Sequence, residues 1–336
     1  MKKFLFGKTF NELSEVTLQL GLPKFTARQI ADWLYKKRVK TIAEMTNISL
    51  ENRQKLETEF EIGISLPIKS QISNDGTKKY IFEIAQNTFV ESVYIPDADR
   101  ATLCVSSQAG CRMACKFCMT GRLGFKGNLS AGEIINQICN IPDSETLTNI
   151  VYMGMGEPFD NLENVLKSLE IITSDYGFAW SPKRVTVSTI GIIPAINEFM
   201  NKSKCHLAIS LHNPFDDERL QLMPVQKKYR ASNVIKELRQ YDFSHQRRLS
   251  FEYIMFDGIN DTPRHSQALA KLLQGLDCRI NLIRFHEIPD SDLRPSNDET
   301  IAKFQQYLNS KNFLTTLRAS RGKDILAACG MLSGLK

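Results

Sequence analysis

The 336-residue chain contains no apolar run of 18 residues and no signal-peptide pattern, so neither a membrane span nor export is expected and a cytoplasmic location is. It has no internal repeat and no low-complexity tract. Neither sign of charge dominates: 43 Lys+Arg against 37 Asp+Glu leave a net +6, a weak bias toward a polyanionic partner. There is no second Cys-x-x-Cys and no His-x-x-x-His, so the paired ligand clusters of an ordinary four-ligand zinc site are missing.

What the chain does have is Cys111-x-x-x-Cys115-x-x-Cys118, directly after an apolar segment. Three thiolates hold three irons of a cubane [4Fe–4S] cluster and leave the fourth open, whereas clusters that only carry electrons normally take four cysteines. An open iron points to chemistry at the cluster. Structural zinc remains an alternative, and Cys104, seven residues upstream, is available as a fourth ligand. Cys139, Cys205 and Cys278 read as structural, because free cysteine is among the most often buried residue types.

Short runs rich in Val, Ile, Leu, Tyr and Phe recur along the chain. Leu103–Ser106, Asn149–Met153, Arg184–Ser188, His206–Leu211, Leu249–Met255 and Arg279–Phe285 read as buried parallel strands. Helix-length segments lie between them: Ser130–Ile141, Leu162–Asp175, Ile192–Asn201, Ser232–Tyr241 and Pro263–Gln274. Six βα units predict an α/β fold of the incomplete (βα)6 barrel type. In such folds the loops after the strands carry the site. The cysteine triad follows the first strand, and Gly154-Met155-Gly156-Glu157-Pro158 follows the second. Two glycines beside a carboxylate suit a clamp for a ligand amine.

Together these features resemble the radical S-adenosylmethionine (SAM) enzymes. Five longer stretches resemble the RlmN-type adenine-C2 RNA methyltransferases and their C8-methylating relatives of the Cfr type: Ala101–Cys111, Met153–Pro158, Val187–Gly191, Ile209–His212 and Asp324–Gly330. The resemblance implies a radical SAM core with a [4Fe–4S] cluster and two SAM per turnover. Adenine C2 lies between two ring nitrogens and is too electron-poor for polar methyl transfer, so a radical route is chemically apt. The family mechanism methylates Cys329, adds the resulting methylene radical to adenine, and leaves RNA tied to that cysteine. A base, matched by Glu91, takes the adduct proton. Cys104 then attacks the Cys329 sulfur and releases the methylated base, leaving a disulfide.

Residue by residue, the resemblance also implies Cys111, Cys115 and Cys118 as cluster ligands. SAM contacts are implied for Gly156, Glu157, Ser188, Ser210, Leu211, His212 and His286. His286 stands where the family usually has Asn, and Leu326 where it usually has Asp. Family members act on an adenosine of 23S rRNA and many also on the adenosine 3′ of the tRNA anticodon, so both RNAs are expected partners, with an electron donor such as flavodoxin. A monomer is expected. Pro158 and the N-terminal extension fit the C2 group better than the C8 group; a zinc-stabilised RNA-binding protein without activity is the remaining alternative.

Residues 1–62 read as a small helical RNA-docking domain, with helices near Phe10–Leu20, Ala27–Lys37 and Leu50–Phe60. Residues 1–60 hold eleven Lys/Arg against seven Asp/Glu, and Lys36-Lys37-Arg38-Val39-Lys40 closes the second helix. That run reads equally well as a solvated helix end. Residues 63–96 form a β connector around Asn74-Asp75-Gly76, a hairpin signal, and residues 97–336 form the core with its reactive-cysteine loop.

Overall fold

The computed structural model describes residues 2–244 and 247–334. At the N-terminus, strand β1 (Lys3–Phe4) leads into helices α1 (Phe10–Gln19), α2 (Thr26–Ala31) and α3 (Leu50–Glu59), and β2 (Phe60–Glu61) returns to pair with β1 in parallel. The first helix starts where Thr9 and Glu12 cap each other's backbone N–H groups, which satisfies donors that the helix leaves free. The second continues through one wide turn, Asp32–Lys36. All three helices match the sequence expectation to within a few residues, apart from this change of turn.

A ten-stranded sheet makes up the rest. Strands β3 (Lys69–Ile72), β4 (Lys78–Ala85) and β5 (Thr88–Asp97) are antiparallel, and β5 pairs with β6 (Arg100–Cys104). The Asn74-Asp75-Gly76 turn joins β3 to β4, with Gly76 at φ +82°. A small hairpin, β7 (Gln108–Gly110) and β8 (Phe125–Asn128), brackets the cysteine loop and the short helix α4 (Met119–Arg122). There follow α5 (Ala131–Cys139), β9 (Asn149–Tyr152), α6 (Leu162–Thr173), β10 (Val185–Thr189), α7 (Ile193–Lys202), β11 (His206–Ser210), α8 (Asp216–Leu222), α9 (Ala231–Leu238) and β12 (Leu249–Met255). The chain ends with α10 (Pro263–Leu273), β13 (Arg279–Arg284), α11 (Asp298–Ser310) and β14 (Leu314–Leu317).

The order β6-β9-β10-β11-β12-β13-β14 is parallel throughout, so the six expected βα units are present and a seventh strand, β14, is added at the edge of the incomplete barrel. The sequence reading missed β14 because Leu314-Thr-Thr-Leu317 is an edge strand with only Thr315 buried, and a single buried position has no apolar run to reveal it. By contrast β12 is buried along its whole length, as a central strand should be.

The N-terminal module is packed onto the core. Gly7, at φ +90°, lies so close to α5 that a Cβ there would stand 2.2 Å from the Gly132 nitrogen. Tyr35 gathers Phe6, Tyr176 and Phe178 around its ring and donates its hydroxyl to the Lys8 carbonyl at 2.6 Å. One continuous apolar core runs from Leu5 to Leu332.

Candidate active site

The strand ends of the half-barrel enclose a cavity of about 370 Å³. Cys104, Cys111, Cys115, Cys118, Gly156, Glu157, Ser188, Ser210, His212, His286 and Cys329 all line it. Two residues singled out in the sequence do not. Leu211 is buried in the main core, while Glu91 lies buried in β5 behind the C-terminal segment.

The cysteine loop is shaped by its backbone. Cys111 donates its N–H to Gly124 O at 3.0 Å, Ala114 takes a left-handed φ of +50°, and Lys116 N–H reaches Leu222 O at 3.0 Å. Around the thiols stand Phe117, Ile190, Met223, Ile254 and Phe256. Burial pushes the Cys111 thiol up to about 12 and raises Cys115 and Cys118; Cys111 and Cys118 also push Cys115 upward. Thiols this reluctant to ionise alone need a cationic partner. Cys111, Cys115 and Cys118 lie on one loop and all face the same cavity, so the donor set fits a cluster whose irons each take one thiolate.

The Gly-Met-Gly-Glu turn lies beside the triad. At Gly156, with φ +94°, a Cβ would stand 2.5 Å from Gln108 Cβ, so only glycine allows this approach. Glu157 accepts N–H groups from Phe159 and from Ile190, both at 3.0 Å, and so ties the β9 and β10 loops together. Burial pushes its carboxyl up to about 7 despite hydrogen bonds to Thr189, Phe159 and Ile190. A ligand ammonium would supply the missing counter-charge. Ser188 and Ser210 stand 3.4 Å apart at the ends of β10 and β11.

His212 has φ +59° and is buried edge-on against Phe117, with ring centroids 4.9 Å apart. Its Nδ1 accepts from Ile254 N–H at 3.1 Å. Burial, with Arg219 nearby, pushes its pKa down to about 3, so the ring is neutral and carries its proton on Nε2 as a donor. Behind it Arg219, 1% exposed, donates to Leu211 O, Ile190 O, Ser210 O and Gln226 Oε1 at 2.6–3.0 Å. This arginine fastens the ends of β10 and β11 behind the triad. His286 is buried in the wall, and burial lowers its pKa.

Cys104 and Cys329 line the same cavity as the triad, and Cys329 lies near enough to both Cys104 and Cys118 to push their thiols upward. Burial pushes the Cys104 thiol up to about 12, the Cys329 sulfur adds to this, and Arg318 pulls the other way. Arg318 pairs with Glu252 at 3.4 Å, and Glu252 also accepts from Asn281 at 2.7 Å. Sequence reasoning missed Arg318 and Glu252. Recognising β14 would have found the first, since Arg318 is the residue that follows it.

A segment from residue 322 to 334 carries Cys329, the only exposed cysteine among the described residues. The hairpin turn holds one end, through Asp75 to Gly322 N–H at 2.9 Å and Asp324 to Ser73 and Asn74. At the other end Thr120 Oγ1 donates to Leu332 O at 2.7 Å, and Ser333 N–H donates to Glu91 Oε2 at 3.0 Å. Glu91 is further paired with buried Lys79 at 3.3 Å.

A parallel half-barrel with three thiols beside a Gly-Glu turn at its strand ends defines a radical SAM enzyme. Residues 105–267 match the model of the radical SAM superfamily, and residues 4–62 match the ribosomal RNA large subunit methyltransferase N-terminal domain. The chain is 55% identical over 335 residues to the probable dual-specificity RNA methyltransferase RlmN of Phocaeicola vulgatus, covering 100% of this chain and 96% of that one. It is 43% identical over 330 residues to the dual-specificity RNA methyltransferase RlmN of Syntrophus aciditrophicus, covering 97% and 95%. The crystal structure of a radical SAM methyltransferase from Sphaerobacter thermophilus superposes with a TM-score of 0.91 at 36% identity over 99% of both chains. The chain belongs to the RlmN family of radical SAM RNA methyltransferases.

Proposed function

We propose that this enzyme methylates C2 of an adenosine in 23S rRNA, and of the adenosine 3′ of the tRNA anticodon, through an S-methylcysteine on Cys329. The observation that carries this reading is that Cys104 and Cys329 line the same cavity as the triad and lie near enough to affect each other's charge. When bound, a [4Fe–4S] cluster and SAM supply the one-electron chemistry. Cys111, Cys115 and Cys118 would hold the cluster. Glu157 and Gly156 would receive the SAM amino group, with Ser188, Ser210, His212 and His286 completing the wall.

The chain's own thiols divide the work. Cys329, on an exposed loop, presents the methyl carbon to the base. Glu91, which pairs with Lys79 at 3.3 Å, takes the proton from the adduct. The Cys104 thiolate attacks the Cys329 sulfur, the sulfur–methylene bond breaks, the carbon stays on the base and takes up a proton to become its methyl group, and a Cys104–Cys329 disulfide remains. Arg318 favours the thiolate needed for that attack. The enzyme works in the cytoplasm as a monomer and takes electrons from a donor such as flavodoxin; no helix among the described residues is long and apolar enough to cross a membrane.

Mass spectrometry of nucleosides from 23S rRNA and tRNA, in cells with and without the gene, tests the reading. Loss of 2-methyladenosine from both RNAs is expected. Loss of 8-methyladenosine instead, or of neither, would overturn the C2 assignment, and loss from rRNA alone would remove the tRNA.

A further inference from the structure

The end of the barrel away from the thiols is cationic. Lys183 and Arg184 precede β10, Arg247 and Arg248 precede β12, and Arg279 opens β13. All are exposed except half-buried Arg247. None of the five forms an ion pair among the described residues.

His206 samples the field there. It opens β11 between the two pairs, is buried, and accepts the Arg248 N–H on Nδ1 at 2.9 Å. Burial pushes its pKa down to about 4, and the next four contributions, from Arg248, Lys183, Arg279 and Arg247, all act in the same direction. Arg248 itself is lowered by burial and then by Arg279 and Arg100, with no carboxylate opposing them. Like charges therefore crowd around His206 and Arg248 at this end.

The N-terminal module stands at the same end. Arg28 pairs with Asp175 and Arg38 with Glu145, in the loops that lead into β10 and β9. The strands of five to seven residues separate this end from the thiols by ~17–23 Å at 3.3 Å per residue. An electron donor bound there would be remote from the cluster ligands, whereas a polyanion with charges repeated along its length suits a row of separated cations.

We propose that Lys183, Arg184, Arg248 and Arg279 form a docking surface for the phosphate backbone of the substrate RNA, held at a distance from the reacting base, while Arg247 is turned inward onto Met200 and Phe199. This rests on the reading that the substrate is RNA. The module and the barrel rim then grip one RNA together, and the rim contributes affinity without selecting the base.

The test is a triple variant, Lys183→Gln, Arg248→Gln and Arg279→Gln, with the matching Arg→Lys variant of positions 248 and 279 as control. Binding of an unmodified tRNA transcript and of a 23S rRNA fragment is measured at several salt concentrations. The neutral variant should lose at least tenfold in affinity at low salt, with the slope of log affinity against log salt reduced by about two to three, since each lost phosphate contact removes ~0.7–0.9. The lysine control should keep the slope, and melting temperature and RNA-free SAM cleavage should stay unchanged in both. Unaltered affinity and slope in the neutral variant would overturn the proposal. So would intact RNA binding combined with slower reduction by an acidic electron-transfer protein, which would assign the surface to the donor. A wild-type protein that binds neither RNA in a salt-dependent way would instead overturn the RNA reading itself.

Discussion

Met119 donates its backbone N–H to the carbonyl of Gly330 at 2.8 Å. One follows the last cysteine of the triad and the other follows Cys329, so the cluster helix and the reactive loop are joined at their functional ends. Thr120, the next residue, adds its hydroxyl to Leu332 O. Replacing Thr120 by Val should leave that carbonyl without its partner and cost about 1–3 kcal/mol locally. Hydrogen exchange over residues 329–334 should quicken while iron content stays at the wild-type level; unchanged exchange would show that the bond does not hold the loop.

The Lys79–Glu91 pair is almost wholly buried, with side chains 7% and 1% exposed. Removing one partner of such a pair strands a charge, so Lys79→Met should destabilise the protein by about 3–5 kcal/mol. Adding Glu91→Leu should recover much of that loss. Urea denaturation of the three proteins decides it, and additive losses would show that the two side chains are not coupled.

Glu157 gives a pH signature. Its carboxyl is raised to about 7 in the fold, so its contribution to stability is fully present below the unfolded value near 4.5 and is lost as pH rises through 7. His206 and His212 are depressed, and each works in the opposite sense, gaining stability as pH rises toward the unfolded imidazole value. The difference in melting temperature between wild type and Glu157→Gln isolates the carboxyl. That difference should move in favour of the glutamine variant between about pH 5 and pH 7.5, and a flat difference would count against an unneutralised buried carboxyl.

Arg318 is held beside both reactive thiols. With Arg318→Gln the Cys104 thiol, already pushed up to about 12 by burial, should ionise less readily. RNA-linked protein should then persist longer during turnover than in wild type, with SAM cleavage retained. Equal lifetimes of the linked species would remove Arg318 from the release step.

Leu326 occupies a left-handed conformation, φ +54°, with its side chain 54% exposed. A branched apolar residue is poorly suited to that region, whereas Asp and Asn enter it readily. Leu326→Asn should therefore stabilise the loop by up to about 1–2 kcal/mol, read as a rise in melting temperature. A fall would mean that the leucine packs usefully where it is.

The sequence made the chemistry more legible than its setting. Three cysteines at fixed spacing and the Gly-Met-Gly-Glu turn are local patterns, and the six apolar strands announce themselves by composition. The seventh, β14, is a half-exposed edge strand, and Arg318 was hidden with it. Alternation around Asn74–Gly76 revealed a hairpin but not which sheet edge β5 joins, since pairing with β6 depends on residues distant in sequence. Glu91 shows the same limit: its partners Lys79 and Ser333 lie 12 and 242 residues away, and no short motif records them.

The most direct measurement is a denaturing gel of Cys104→Ala and Cys329→Ala after incubation with SAM, a reductant and substrate RNA. Cys104→Ala should keep its iron, form the bond from Cys329 to adenine, and accumulate as an RNA-shifted band because it lacks the thiolate that breaks the link. Cys329→Ala should keep its iron and give no such band. Absence of the shifted band in iron-replete Cys104→Ala, or its presence in Cys329→Ala, would contradict the division of labour between the two thiols.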